Sequence, residues 1–281
     1  GICRQKKIGH TGTLDPQATG VLPVCLGSAT RACEMLTDRT KEYVAELLLG
    51  KITDTQDTTG TVLEEREVAV DEAQVREVIG SFVGGYDQIP PMYSALKVNG
   101  KKLYELARAG KEVERQARHV DLPAIEILEI RLPVVKFRVE CSKGTYIRSL
   151  CADIGGKLGC GGTMQSLVRT RVGEFRLTDA LTLTQLQELR DTGRLEEALL
   201  PTDRIFADFN AVHVEEKWRK LIDNGNAFYP GQTMEQTTYP VGEWVRVYRE
   251  DDSFVGIYAY DGAKEWYKPV KIFPSNTESR K

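Results

Sequence analysis

Gly9-His10-Thr11-Gly12-Thr13-Leu14-Asp15-Pro16-Gln17-Ala18-Thr19-Gly20 packs three glycines and a proline around a single acid. Glycine reaches backbone conformations closed to other residues and proline fixes its own φ, so the stretch reads as an irregular, preorganised loop. It presents His10 and Asp15 outward and leads into Gly20-Val21-Leu22-Pro23-Val24-Cys25-Leu26, whose apolar run reads as a buried strand. A loop held by a rigid element is where catalytic side chains concentrate. On these residues alone Asp15 is open to several readings: a nucleophile, a general base, a metal ligand, or an Asx-turn whose carboxylate only bonds its own backbone. Metal is the weakest of them, because no second acid or histidine follows at ligand spacing. A phosphate-binding loop fails too, since the chain has no Gly-x-x-x-x-Gly-Lys run followed by Ser or Thr.

Outward from this loop, Ser28 is placed to cap a helix, and Lys41 to Gly50 alternates as a strand that ends in glycine. Asp71 opens a helical pattern through Val75, Val78 and Ile79, closed by Gly80. Asn99-Gly100 is a turn signal, after which Lys101–Ala109 reads as helical with Gly110 as its stop. Val135, Phe137, Val139 and Cys141 share one face of a strand, and Thr145 onward turns helical as far as Gly159. Leu183–Leu200 reads as an acidic helix. From Val212 one short helix (Glu215–Ile222) precedes strand-like runs at Val245/Val247, Val255/Ile257 and Val270/Ile272. The pattern predicts an α+β fold. A mixed, largely antiparallel sheet with flanking helices occupies residues 1–209, and a small β-rich domain occupies 210–281.

The 281 residues are 41% hydrophobic and 28% charged, enough apolar material for a packed core. No apolar run approaches the roughly 18 residues of a membrane span. The opening Gly1-Ile2-Cys3-Arg4-Gln5-Lys6-Lys7 lacks the apolar segment of a secretory signal. Six cysteines without a CxxC pair, and only three histidines, fit reduced thiols in a cytoplasmic protein and no metal site. The net charge of -3 is unevenly spread. Residues 52–90 carry nine acids against two arginines, whereas 94–119 carry seven bases against three acids and 131–176 nine bases against three acids. Residues 177–216 swing back to nine acids against three bases. One basic face and one acidic back suit a polyanionic substrate.

Gly9–Leu22 resembles the signature of TruB-type tRNA pseudouridine synthases of the bacterial kind. The likeness is carried further by Lys41-Glu42-Tyr43, Ile89–Lys97 (IPPMYSALK), Gly100–Arg108 (GKKLYELAR), Gly144–Leu150 (GTYIRSL) and Leu167–Thr170 (LVRT), at matching spacing and in order. The tail looks like the PUA-type module that usually follows. The resemblance implies isomerisation of the T-loop uridine of tRNA, position 55 in tRNA numbering, to pseudouridine, with no cofactor and no metal. Asp15 falls on the essential aspartate, which attacks either C6 of the base or C1′ of the ribose. His10 falls on the histidine that helps hold the target base out of its stack. Tyr43 falls on the tyrosine that stacks on the flipped base and serves as a late proton acceptor. Tyr146 and Leu167 fall on pocket-lining residues, and Arg148 on the arginine that pairs with the aspartate. That pairing predicts an Arg148–Asp15 contact within about 4 Å, the usual limit for an ion pair. Residues 90–119 match the insertion that closes over the T-loop, so Lys97, Lys101 and Lys102 are expected at phosphates. The implied partner is the T-arm of tRNA, with the small domain toward the acceptor end, bound by a monomer.

Two features depart from the family pattern. The strand with a Lys-Pro motif that normally precedes the loop is missing, with only fourteen residues ahead of Asp15. Val168 stands where an arginine commonly follows the leucine. A guide-RNA-dependent pseudouridine synthase shares the core motifs, but the long 90–119 insertion favours the stand-alone type. A non-catalytic RNA-binding protein or RNA chaperone would keep the basic surfaces without needing Asp15, Tyr43 and Arg148 together.

Overall fold

A computed structural model describes residues 1–98 and 100–274. Asn99 of the Asn-Gly turn signal and the end of the 210–281 tail lie outside the described residues. The chain divides into two compact units. One comprises Gly12–Pro23 and Thr37–Ala180, the other Gly1–Thr11, Val24–Leu36 and the chain from Leu181 onward.

In chain order, β1 (Ile8–His10), β2 (Thr19–Gly20) and β3 (Val24–Leu26) precede a 3-10 turn that runs into α1 (Cys33–Thr37). Then come β4 (Lys41–Leu49), β5 (Lys51–Thr53), β6 (Val62–Glu65), α2 (Glu72–Gly80) and β7 (Tyr86–Gln88). A ribbon of β8 (Lys97–Val98) and β9 (Lys101–Lys102) leads into α3 (Leu103–Arg108). After β10 (Arg118–Val120), β11 (Ala124–Arg131) and β12 (Val134–Cys141), α4 (Ile147–Lys157) is followed by β13 (Gly162–Val172) and β14 (Phe175–Arg176). The remainder holds α5 (Leu183–Asp191), β15 (Asn210–Val214), α6 (Arg219–Asp223), β16 (Trp244–Arg249), β17 (Phe254–Asp261) and β18 (Trp266–Ile272). The fold is α+β with mixed sheets and a β-rich carboxyl-terminal part, as the sequence pattern predicts.

In the first-named unit the sheet runs β11-β12-β4-β13-β14, antiparallel throughout, and β2 joins β13 in parallel. Alternation decides its buried face: Val135, Phe137, Val139 and Cys141 of β12 are buried, as are Ala45, Leu47 and Leu49 of β4. Ile147, Leu150, Cys151 and Ile154 of α4 and Val75 and Ile79 of α2 complete that core. Each large apolar side chain so buried contributes roughly 1.5–3 kcal/mol over leaving it in water. α4 backs closely onto β13 because Gly155 has no side chain; a Cβ there would lie 2.2 Å from Gly162 N. α2 starts where its residues predict, at a capping box. The Asp71 carboxylate accepts from Gln74 N and the Gln74 side chain accepts from Asp71 N, both at 2.9 Å.

Three local expectations need correction. The strand predicted over Gly20–Leu26 is two short pieces, and Leu22 and Val24 are exposed. Pro23 lacks the N–H that a continuous ladder needs and breaks the run. Ser28 caps nothing: Leu26 is the residue at the cap of the 3-10 turn Gly27–Ala32, with no side-chain bond, and Gly27 N is taken by Lys7 O at 2.9 Å. The acidic helix stops at Asp191 rather than reaching Leu200, because Gly193 turns the chain at φ +73°.

The other unit centres on β15-β16-β17-β18, with β15 parallel to β16 and the remaining pairs antiparallel. Val212, Val245, Val247, Phe228, Tyr258 and Tyr267 form one core cluster. Ala32, Phe206, Ile257 and Phe273 form a second, so the short segment 24–36 shares the core of this unit. Among the described residues no helix is long and apolar enough to cross a membrane.

Candidate active site

The Asp15 loop is pinned by its backbone. Ala18 N donates to Asp15 O at 2.9 Å, closing a turn with Pro16 at the position its fixed φ suits. The turn thus closes through the Asp15 carbonyl, which leaves the carboxylate for a different partner. Next, Thr19 and Gly20 pair with Val168 and Arg169, and Val21 N donates to Arg169 O at 2.8 Å. Gly20 is required here: its φ is +113° and a Cβ would sit 2.1 Å from the Arg169 carbonyl oxygen.

Arg169 also works through its side chain, which is 1% exposed. Nε donates to Val21 O at 2.7 Å and Nη2 to Gly12 O at 3.2 Å, so one guanidinium ties both ends of the loop. It also stands across the sheet from Tyr43, whose phenol its charge favours in the ionised form. Arginine fits because its planar fork offers five donors in fixed directions and stays charged.

The carboxylate of Asp15 meets Arg148. Arg148 lies in the first turn of α4, with 5% of its side chain exposed against 34% for Asp15. Nε donates to Oδ2 at 2.8 Å and Nη2 to Oδ1 at 3.1 Å, a bidentate pair. Two further donors are used: Nη1 reaches Thr55 O and Nη2 reaches Tyr93 O, both at 2.9 Å. A second acid, Asp57, stands 3.9 Å from Arg148 Nε. It is buried and held by Thr55 Oγ1 at 2.9 Å, Thr59 N at 3.0 Å and Thr59 Oγ1 at 2.5 Å. One buried cation therefore serves two carboxylates, of which only Asp15 is open to a ligand.

Tyr43 lies on β4 directly across from Arg169 of β13 and Val139 of β12. Burial pushes its phenol up, with Cys141 and then Asp15 adding to the effect and Arg169 opposing it, so it stays protonated at neutral pH. Leu167 is buried on β13 opposite Ala45. Tyr146, half-buried, precedes α4 by one residue. Lys97 faces Lys102 and Lys101 faces Val98 across the β8–β9 ribbon. Lys102 and Arg108 lie over the Tyr104 ring at 5.4 and 5.6 Å, giving a basic cluster with an aromatic centre. His10 is exposed on β1 opposite Val24 and belongs to the other compact unit.

Asp57 and Arg169 escaped the sequence reading. Asp57 lies in an acidic block, yet it sits among Thr55, Thr58 and Thr59, a composition that signals a structured turn. Arg169 stands in the Leu167–Thr170 block without a role, though a cation two residues after a buried leucine on a strand falls on the buried face.

Residues 1–147 match the family model of the TruB family pseudouridylate synthase N-terminal domain. The chain belongs to the TruB family of pseudouridylate synthases. Residues 148–207 match the tRNA pseudouridylate synthase B C-terminal domain. A tRNA pseudouridine synthase B of Lachnoclostridium phytofermentans is 50% identical over 283 residues, covering 97% of this chain and 92% of that protein. One from Alkaliphilus oremlandii is 49% identical, covering 95% and 88%. Among solved structures, an H/ACA RNP bound to a substrate RNA containing 2′-deoxyuridine aligns at TM-score 0.72 with 25% identity, over 98% of this chain and 79% of that one. A Cbf5-Nop10-Gar1 complex aligns at 0.71 with 28% identity, over 97% and 78%. This TruB-family chain is a pseudouridine synthase, an isomerase.

Proposed function

We propose that this enzyme isomerises the T-loop uridine of tRNA, position 55, to pseudouridine, with Asp15 as nucleophile. The observation that carries the reading is the bidentate Arg148–Asp15 pair on a loop tied down by Arg169. Relatives named tRNA pseudouridine synthase B over nearly the whole chain support tRNA as the substrate. In the isomerisation the C1′–N1 bond breaks, the base turns, and C1′ bonds to C5. C5 gives up its proton and N1 gains one, so the product has the atoms of the substrate. Asp15 bonds transiently to C6 or C1′ and leaves again, which a carboxylate does readily.

Arg148 holds that carboxylate oriented, with Asp57 behind it. Tyr43 offers its ring for stacking on the flipped base; late in the reaction its oxygen takes the proton that C5 gives up as its own hydroxyl proton passes on toward N1. Tyr146 and Leu167 give the uridine an aromatic and an apolar wall. The target base must leave its stack at a cost of a few kcal/mol, and His10 contributes to holding it out. Lys97, Lys101 and Lys102 meet T-arm phosphates and supply affinity without reading sequence. The β-rich module over 210–281 serves as a PUA-like RNA-binding domain toward the acceptor end. The enzyme works as a cytoplasmic monomer without cofactor or metal.

The test uses unmodified tRNA transcript tritiated at uridine C5, with no guide RNA. Tritium is released only when C5 exchanges its hydrogen for C1′. Stoichiometric release, mapped to position 55, is the expected result. Release that requires an added guide RNA would favour a guide-RNA-dependent pseudouridine synthase. Binding without release would leave only an RNA-binding role.

A further inference from the structure

Gln88, on β7 and 2% exposed, has no part in the chemistry above, yet it grips the Tyr146 backbone with both ends of its amide. Its Oε1 accepts from Tyr146 N at 2.8 Å and its Nε2 donates to Tyr146 O at 3.0 Å. Nε2 also donates to Tyr86 Oη at 2.6 Å, and Tyr86 Oη donates to Asp153 Oδ2 at 2.7 Å.

The polarity of this relay is fixed by the Tyr146 peptide. Its N–H only donates and its carbonyl only accepts, so Gln88 turns Oε1 to the one and its NH2 to the other. The NH2 end then also serves the lone pairs of Tyr86, whose proton points at Asp153. Tyr146 is the residue at the cap of α4 and its side chain makes no capping bond, so the first turn of that helix is held here by a side chain from another element. Arg148 follows two residues later.

We propose that Gln88 is a positioning residue for the isomerisation: it fixes the Tyr146 peptide, and with it one wall of the uridine pocket and the helical turn from which Arg148 reaches Asp15. Tyr86, bonded to Asp153, steadies the NH2 end of the Gln88 amide. The inference rests on the assignment of Tyr146 and Arg148 to the site, proposed above. A peptide freed at this point lets the pocket wall shift relative to the nucleophile, and displacement of about 1 Å can cost a hundredfold in rate.

Steady-state kinetics on unmodified tRNA transcript test it. Gln88→Met keeps the length and loses every polar bond; kcat should fall roughly ten- to hundredfold with KM nearly unchanged, since phosphate contacts supply the binding. Gln88→Glu keeps an acceptor for Tyr146 N but sets a carboxylate against Tyr146 O, and should not rescue. Tyr86→Phe leaves both Tyr146 bonds in place and should cost less than Gln88→Met. The deciding readout is the double variant: in a Tyr146→Ala background, Gln88→Met should cost clearly less than it does in the wild type, because residues acting through one another are not additive. Should Gln88→Met melt below the assay temperature, Gln88→Glu is carried through the same comparison. Unchanged kcat in the folded Gln88 variants, or full multiplication of the two effects, overturns the proposal. Full turnover in Tyr146→Ala and Arg148→Met would instead overturn the site assignment beneath it.

Discussion

Arg148 holds Asp15 by two hydrogen bonds, at 2.8 and 3.1 Å, from a position that is almost wholly buried while Asp15 keeps a third of its side chain open. The cation is thus built into the protein and the carboxylate stays accessible. A buried guanidinium with carbonyl oxygens on its other nitrogens cannot swing away, so the Asp15 oxygens are fixed before substrate arrives.

Arg148→Lys should retain partial turnover and Arg148→Met very little. Lysine keeps the charge but loses the fork, and a drop of about tenfold or more in kcat is expected for it. Arg148→Met leaves Asp57 buried without its cation and should also lower stability by about 3–5 kcal/mol, the cost of breaking a buried pair. Single-turnover kinetics with parallel denaturant unfolding separates the two effects.

Gly20→Ala should lift the catalytic loop from β13. The new methyl would meet the Arg169 carbonyl at 2.1 Å in a conformation that alanine avoids. Strain of about 1–3 kcal/mol is expected, read as a lower Tm, together with reduced kcat. A variant with wild-type Tm and kcat would show that the loop does not depend on this contact.

Much of this architecture is legible in the residues. The alternation at Val135–Cys141 marks its buried face correctly, and Asp71 and Gln74 announce the start of α2. What stays hidden are partnerships across long stretches of chain. Ala32 shares a core with Phe206, Ile257 and Phe273, although nothing local separates segment 24–36 from the sheet that follows it. Asp57 reads as one more acid in an acidic block until Arg148 is beside it. Gln88 reads as an ordinary polar residue ahead of Ile89-Pro90-Pro91, because its worth lies in a peptide 58 residues away. Local pattern specifies elements; buried polar pairs belong to the assembled fold.

Asp153→Asn should change how stability depends on pH. Burial raises the Asp153 carboxyl above its ordinary value, with Tyr86 and Lys157 opposing. The folded protein therefore binds this proton more tightly than the unfolded chain does. Its contribution is fully present below the ordinary carboxylate value of about 3.9 and is lost as pH rises through the folded value. Asparagine removes that dependence, so the stability difference between variant and wild type should move in favour of the variant as pH climbs from about 4 to neutrality. Urea unfolding across that range checks the slope, and parallel curves would contradict it.

Lys97→Ala, Lys101→Ala and Lys102→Ala together should weaken tRNA binding and leave kcat at saturation unchanged. Each lost phosphate contact should lower the slope of log affinity against log salt by about one. Binding titrations at several salt concentrations measure it; an unchanged slope would remove the β8–β9 ribbon from the RNA interface.

The most direct test of the central claim is Asp15→Asn under single-turnover conditions with C5-tritiated tRNA. The amide keeps the shape of the carboxylate and lacks its nucleophilic oxygen. No tritium release, with tRNA affinity close to wild type, is the predicted result. Release at even a few per cent of the wild-type rate would contradict a covalent role for Asp15.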